Sequence, residues 1–341
     1  MYTESPPRTP VPASVSAQHM VHLLESLLPQ GNHSAQQGQG LTDKSGPAPS
    51  AELLFEHGGR AAEIAVKLGR FSVPVPSQFL ECPDTAYHPH SRCTRAVLSG
   101  GATLVQDQSP KYQDKPSGEQ LLTVLLTYED GKQVFVSEAG GSGEGKGEGE
   151  GEGKSDAGKT ALPLTFDQLT AVANSPVWKP VLAMMPAPSE GPRVASVPRM
   201  TGQHITHVIE KLLPAGLNAA HEGGAEGFGH VVVDDGNGES LVAVNVQRWR
   251  PHDPSMRKLF EGADTLPDGT RISIRRGPAS GGGEGAVAWT ADTLRTDGLR
   301  VVVSAVNARA YRLPAGRGEP ALKVEQLKQM ALDEAWRTAS R

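Results

Sequence analysis

The sequence predicts an α+β protein of two tandem homologous domains, each an antiparallel sheet of about four strands covered by an N-terminal and a C-terminal helix. Three observations predict it. The chain matches itself in four segments kept in the same order, the third being Tyr128–Ala139, YEDGKQVFVSEA, over Arg295–Val306, RTDGLRVVVSAV. The matched segments alternate between helical and strand periodicity, and a Pro-rich stretch separates the two copies. The first pair is Ser16–Gly31, SAQHMVHLLESLLPQG, over Thr201–Gly216, TGQHITHVIEKLLPAG. They share Gln, His, His, Glu, Leu, Leu, Pro and Gly at eight of sixteen positions.

This opening segment reads as a helix. Met20, Leu23, Leu24, Leu27 and Leu28 recur at the spacing of one buried helical stripe, and Pro29 with Gly31 ends it. Ile205, Val208, Ile209, Leu212, Leu213 and Pro214 repeat the pattern. Next, Leu53–Phe71 lies over Val231–Trp249. Each is a strand, a Gly-containing acidic turn (EHGGR, DDGNG) and an alternating strand ending in Arg and an aromatic residue. Two further strands are expected in each copy, near Thr94–Gln106 with Gln120–Glu138, and near Thr270–Arg275 with Val287–Val306. The closing segments, Leu164–Val181 and Leu322–Ala339, read as helices and place Trp178 on Trp336. Both tryptophans are expected to be core anchors. An antiparallel sheet tolerates one solvated face, which suits the modest 37% hydrophobic content.

The domain boundaries follow from composition. Residues 1–15 are Pro-rich and read as a disordered tether, 16–183 as the first repeat domain, 184–200 as a linker and 201–341 as the second repeat domain. Within the first copy, residues 140–159 form a Gly/Glu-rich tract expected to be a loop. Gly and Pro, 39 and 27 of 341 residues, exceed the ordinary combined share of about 12%. The net charge of -5, from 33 basic and 38 acidic residues, supplies no basic field for nucleic acid. Neither a secretory signal nor a membrane-spanning stretch is read in the chain.

Several motifs invite chemistry. GKSDAGKT, Gly153–Thr160, satisfies the phosphate-loop expression, but a Gly/Glu tract precedes it and Ala161-Leu162-Pro163 follows, so the strand-to-helix context is missing. HxxHxxE occurs twice, as His19, His22 and Glu25 and as His204, His207 and Glu210. Such rows could offer two ligands to a zinc ion. At about 100° per residue they fall opposite the apolar stripe, as a polar helix face would. No GxSxG elbow is present, and no coherent catalytic set or cofactor fingerprint emerges. His57, His88 and His90, with Asp84 near the cysteines, could mark a metal or thiol site in the first copy alone. The sole cysteines, Cys82 and Cys93, flank a Pro-containing loop; a disulfide and a pair of reduced cytosolic thiols both fit.

QHMVHLLESLLPQG, CPDTAYHPHSRC, LLTYEDGKQVFVSEA and LTFDQLTAVANSPVWKPVL together resemble a family of uncharacterised actinobacterial, streptomycete-type proteins. In that family the pattern Q-x-x-x-x-L-x-x-L-L-P, then CPD…C, then V-x-V-S-E, then a Trp-bearing helix recurs in tandem. The resemblance implies repeats held outside the membrane behind an N-terminal anchor, some of them encoded beside extracytoplasmic-function sigma factors. It also favours the disulfide. The chain departs from the pattern in lacking the anchor and, in the second copy, the cysteine pair.

The expected function is a non-enzymatic binding or sensory module at the cell envelope. Its partner would be a protein or a small molecule, with a hydrophobic cleft between the copies as the default site. Two rivals are a metal-dependent hydrolase or metal-binding protein using the HxxHxxE face, and a cytosolic regulatory interaction protein.

Overall fold

The computed structural model describes residues 15–41, 48–113, 115–140, 162–186, 188, 200–250 and 253–340. The phosphate-loop-like motif, nearly all of the expected tether and Gly/Glu-rich loop, and most of the linker lie outside the described residues. Val15, the last residue assigned to the tether, is buried and bridges to Leu41.

The chain divides into two units, one of Met1–Cys82, Arg92–Tyr112 and Ser117–Glu190, the other of Pro83–Ser91, Gln113–Pro116 and Gly191–Arg341. In the first unit, α1 (Ala17–Glu25) starts where the Ser16 side chain accepts from the His19 N–H at 3.1 Å. It is followed by β1 (Asn32–Gln39), β2 (Ser50–His57), β3 (Arg60–Arg70), β4 (Arg92–Val97), β5 (Thr103–Pro110), β6 (Gln120–Thr127) and β7 (Lys132–Gly140). Two helices close the unit, α2 (Phe166–Ala173) and α3 (Trp178–Met184). The second unit runs α4 (Gly202–Leu212), β8 (Asn218–Ala225), β9 (Phe228–Asp234), β10 (Glu239–Arg248), α5 (Pro254–Leu259), β11 (Asp264–Thr265), β12 (Arg271–Pro278), β13 (Val287–Leu294), β14 (Leu299–Val306) and α6 (Val324–Leu332).

Each unit has one seven-stranded antiparallel sheet. The orders are β1-β2-β3-β7-β6-β5-β4 and β11-β12-β13-β14-β10-β9-β8. Taken in chain order these are the same arrangement, so the units are two similar α+β domains. Even an irregularity is shared. Ala35 in β1 and His221 in β8 both sit at positive φ, 51° and 49°, where the register with the next strand shifts.

The expected four strands per domain are corrected to seven. Each long apolar stretch read as one strand is a hairpin, as Gln120–Glu138 becomes β6 and β7. The first strand was missed because it is an edge: β1 is NHSAQQGQ, mostly exposed and held by backbone pairing to β2. Gly38 matters there, since a Cβ would lie 2.3 Å from the Ala17 carbonyl oxygen of α1. The simple flanking by one leading and one closing helix is corrected too. Helices α2 and α3 are separate, interrupted before Pro176, and α5 is an additional helix between strands.

Side-chain parity decides where the core sits. Val66, Val136 and Val124 are neighbours across β3, β7 and β6, and all three are fully buried. They face Met20 and Leu24 of α1, Leu169 and Val172 of α2, and Trp178 and Leu182 of α3. In the second unit Val244 and Val303 face Ile205 and Ile209 of α4 and Leu327 and Met330 of α6.

The two tryptophans are equivalent anchors. Trp178 Nε1 donates to the Val172 carbonyl at 2.7 Å, and Trp336 Nε1 donates to the Met330 carbonyl at 2.6 Å. Each ring is 1% exposed. We expect Trp178→Phe and Trp336→Phe each to lower unfolding free energy by about 1–3 kcal/mol, because each carbonyl loses its shorter donor, keeping the Ser175 N–H at 3.3 Å or the Asp333 N–H at 3.2 Å, and the smaller ring leaves a void. Urea unfolding followed by circular dichroism measures this; losses below about 0.5 kcal/mol would contradict the anchoring role.

Candidate functional site

The outward face of the first sheet carries an unusual row. Lys67, Phe135 and Leu125 are cross-strand neighbours on β3, β7 and β6, on the face away from the helices. One residue pair further along, Gly69 neighbours Gln133, which neighbours Thr127. A 3₁₀ turn, Ser77–Phe79, crosses this end, and Phe71 stacks on Phe79 with centroids 4.3 Å apart. Beneath it Gln133 Nε2 donates to Thr127 Oγ1 at 2.8 Å, and Thr127 Oγ1 donates to the Phe79 carbonyl at 3.4 Å. Gln133 and Thr127 are buried, which fixes the wall.

Between these elements opens a cleft of about 570 Å³, bordered by Lys67, Arg70, Phe71, Phe79, Leu125 and Phe135, with Met185 at one end. Its lining is mainly apolar. Its two cations differ: Arg70 donates to the Met185 carbonyl at 2.7 Å, whereas Lys67 is exposed. All of it lies within the first unit.

The equivalent place in the second unit is filled. There the row is Asn245, Val302 and Asp292. Asp292 is 1% exposed and is gripped by Arg300 through two hydrogen bonds, Nε to Oδ1 at 2.9 Å and Nη2 to Oδ2 at 2.7 Å. Arg300 also donates to Gln247, and its guanidinium lies 6.0 Å from the ring centre of the fully buried Phe260. An aliphatic and aromatic cleft in one unit is thus a closed polar network in the other.

The second unit covers much of its remaining outward face with residues 83–91. Ala86 is buried against Val232, Leu241, Ala243 and Val306. Tyr87 stacks on Tyr311 at 4.9 Å, and the Tyr311 N–H donates to the Ala86 carbonyl at 2.9 Å. Burial pushes both phenols above their ordinary range. His230, 1% exposed, has its Nδ1 3.3 Å from Asp84 Oδ1 and its Nε2 3.5 Å from Thr85 Oγ1. Burial holds its pKa below the usual imidazole value, against the pull of Asp84. The order hydroxyl, imidazole, carboxylate is that of a nucleophilic triad, but the imidazole is sealed from solvent, and this contact closes the loop onto the sheet.

Glu138 is the one carboxyl among the described residues on the core face of the first sheet, neighbouring Ile64 and Leu122. It is fully buried, and its Oε1 accepts from the Leu164 N–H at 2.8 Å, just before Thr165 caps α2. Burial raises its pKa to about 7, opposed by that single hydrogen bond.

The sequence-predicted residues are placed as follows. Cys82 and Cys93 form a disulfide with Cα atoms 5.7 Å apart. His19 and His22 are exposed on α1 and border a groove of about 730 Å³ with Gln36 and Gly38. Glu25 turns to the edge strand, accepting from Gln36 Nε2 at 3.2 Å and lying 3.9 Å from His33. His204, His207 and Glu210 are exposed on α4. Among the described residues no group of three or more His, Cys, Asp or Glu side chains is placed to hold a metal ion. His57 bonds the Gln30 carbonyl through Nδ1 at 2.7 Å, and Asp84 pairs with His230 in place of a metal or thiol site. The cleft residues, Glu138 and His230 were not singled out from the sequence. The continuous apolar run LLTVLL of β6 was the available signal, since a strand apolar on both faces needs a cover for each.

No family model matches the chain, and no curated protein matches it. Among solved structures, the crystal structure of MucB in complex with MucA(peri) aligns at 12% identity over 90% of this chain and 100% of that chain, with a TM-score of 0.18. A superposition that loose supports no conclusion about fold or role.

Glu138 generates a pH prediction. Its pKa is raised in the folded chain relative to the ordinary 4.5, so between those two values the unfolded state gives up the proton first and stability falls as pH rises from about 4.5 to about 7. We expect Glu138→Gln to remove a decline on the order of 3 kcal/mol from the pH profile of urea unfolding. Parallel profiles for the variant and the parent chain would refute the assignment.

Proposed function

We propose that the protein is a non-catalytic, extracytoplasmic binding module descended from a tandem duplication, and that the first unit's cleft takes an amphipathic anion. The cleft carries the reading. Its floor and wall are Leu125, Phe135, Phe71 and Phe79, which would bury a hydrocarbon body, while Lys67 stands at the border to meet an anionic head. Its volume falls within the range of small-molecule sites. The identical strand order of the units supports the duplication. The disulfide supports a compartment outside the cytosol, since such bonds persist mainly under oxidising conditions. Among the described residues no helix is long and apolar enough to cross a membrane.

Straight-chain carboxylates test the reading by calorimetry. Dodecanoate is expected to bind, with affinity rising about three- to fourfold per methylene until the cleft is filled. Leu125→Asp or Phe135→Asp should weaken it at least about tenfold. Lys67→Glu should weaken dodecanoate and leave dodecanol unchanged. Indifference of dodecanoate to all three substitutions would overturn the proposal.

The compartment has its own test. Protein from its native host, denatured without reductant, should expose no titratable thiol. Two thiols per chain would support the cytosolic alternative.

A further inference from the structure

The second unit gathers four arginines around one hollow, and two of them have no role in its packing. Four arginines, Arg250, Arg257, Arg271 and Arg295, are among the residues that border a hollow of about 260 Å³ with Asp253 and Thr296. They come from separate segments: Arg250 follows β10, Arg257 lies on α5, Arg271 opens β12 and Arg295 lies in the turn between β13 and β14. Such convergence is notable in a chain whose net charge is -5.

The four are differently occupied. Arg295 is 4% exposed and donates to the Leu332 and Asp333 carbonyls, both at 2.7 Å, and to Glu334 at 2.9 Å, clamping the end of α6. Arg271 donates to the Phe260 carbonyl and lies 5.8 Å from the centre of that ring. Arg250 and Arg257 are exposed, and among the described residues their side chains have no hydrogen-bond or ion-pair partner. The acids nearby are turned to other groups. Asp253 accepts from the Ser255 N–H, Asp268 accepts from the backbone and hydroxyl of Thr270, and Asp297 accepts from the Leu299 N–H and pairs with Arg248 and Arg337.

The first unit supplies an internal control. By strand position and by the matching turns YEDG and RTDG, Arg271 corresponds to Thr103 and Arg295 to Tyr128. Arg250, following Trp249, corresponds to Ser72, following Phe71. The same sheet is built there without arginine at these positions; Arg271 and Arg295 serve packing contacts of the second unit, whereas Arg250 and Arg257 serve none among the described residues.

We propose that this hollow is a binding site for a compact, multiply charged oxyanion of the phosphate class. Arg250 and Arg257 would grip it through bidentate hydrogen bonds, and Arg271, held by its backbone partner, would contribute fixed positive charge, while Arg295 is already neutralised by Glu334. The small volume excludes a large body, so the recognised group is a free phosphate or the terminal phosphate of a larger molecule such as a phospholipid. The site is remote in chemistry from the apolar cleft and does not depend on its assignment.

The full chain is titrated with inorganic phosphate at low ionic strength, beside Arg250→Ala, Arg257→Ala and Arg257→Lys. Arg309→Ala serves as a control outside the hollow. Saturable binding is expected, weakened at least about tenfold in each alanine variant, weakened by Arg257→Lys and by added salt, and unchanged in Arg309→Ala. Unfolding midpoints of the variants verify that the fold is intact. Absence of saturable binding at millimolar phosphate, or equal weakening by Arg309→Ala, would overturn the proposal. Co-sedimentation with phosphatidic acid vesicles against phosphatidylcholine vesicles separates the two sources. Selective retention that Arg257→Ala abolishes identifies a lipid phosphate, and phosphate binding without retention identifies a soluble one.

Discussion

A seven-stranded sheet has two faces, and the N- and C-terminal helices of each unit cover only one. In both units that face is packed in the same manner, with the leading helix on the β1–β2 or β8–β9 side and the closing helix on the other, anchored by an indole bonded to a helix carbonyl. The second face has no such standard cover. A strand with apolar groups on both sides must bury the outer ones somewhere or leave them in water at about 25 cal/mol per Å². How each unit treats its outward face therefore decides where surface is left for a ligand.

The units treat it differently. In the second, Ala86 and Tyr87 close over Val232, Leu241 and Ala243, and α5 brings Met256 and Phe260 down at the other end. Among the remaining outward positions are Asp292 and Arg300, whose charges satisfy each other and whose hydrogen bonds are nearly complete. A buried pair of that kind contributes little net stability because desolvation offsets the attraction, but it excludes an apolar ligand. In the first unit the equivalent cover is a single 3₁₀ turn ending at Phe79, too short to reach along the row, so Leu125 and Phe135 remain accessible from the side. The same strand order thus presents opposite chemistry on the outward face of each unit.

The inward half of this architecture was legible in the sequence, and the outward half was not. The stripe of Met20 and Leu24, the alternation of Val242, Val244 and Val246, and the paired tryptophans all report burial against a partner in the same copy, and local periodicity records that directly. The polar edge strands β1 and β8 left no such record, because their pairing is through backbone groups. The hairpin turns between β4 and β5 and between β6 and β7 were read through, so two strands counted as one. The cleft depends on which of two apolar faces is left uncovered, and that follows from the course of a connecting segment, which no periodicity encodes. His230 was invisible for the same reason, since its partner Asp84 is distant in the chain. The HxxHxxE rows show the converse. Their spacing was plain, but spacing on an exposed face supplies at most two ligands on one side, and Glu25 is drawn to Gln36 and His33.

The junction after β3 and its counterpart after β10 differ in length, and only the first carries cysteines. After β10 the chain takes a short path: Asp253 caps α5, and Met256 and Phe260 are buried on their own sheet within a few residues. Ordering so short a segment costs little entropy, and a proline at the first helical position reduces that cost further. After β3 the connection is longer, and its residues 83–91 must hold Asp84, Ala86 and Tyr87 in one arrangement to meet His230, Val232 and Tyr311. Closing that stretch between Cys82 and Cys93, with a sequence separation of 11, removes much of the freedom it would otherwise lose on packing. The second unit has no cysteine at the matching junction after β10.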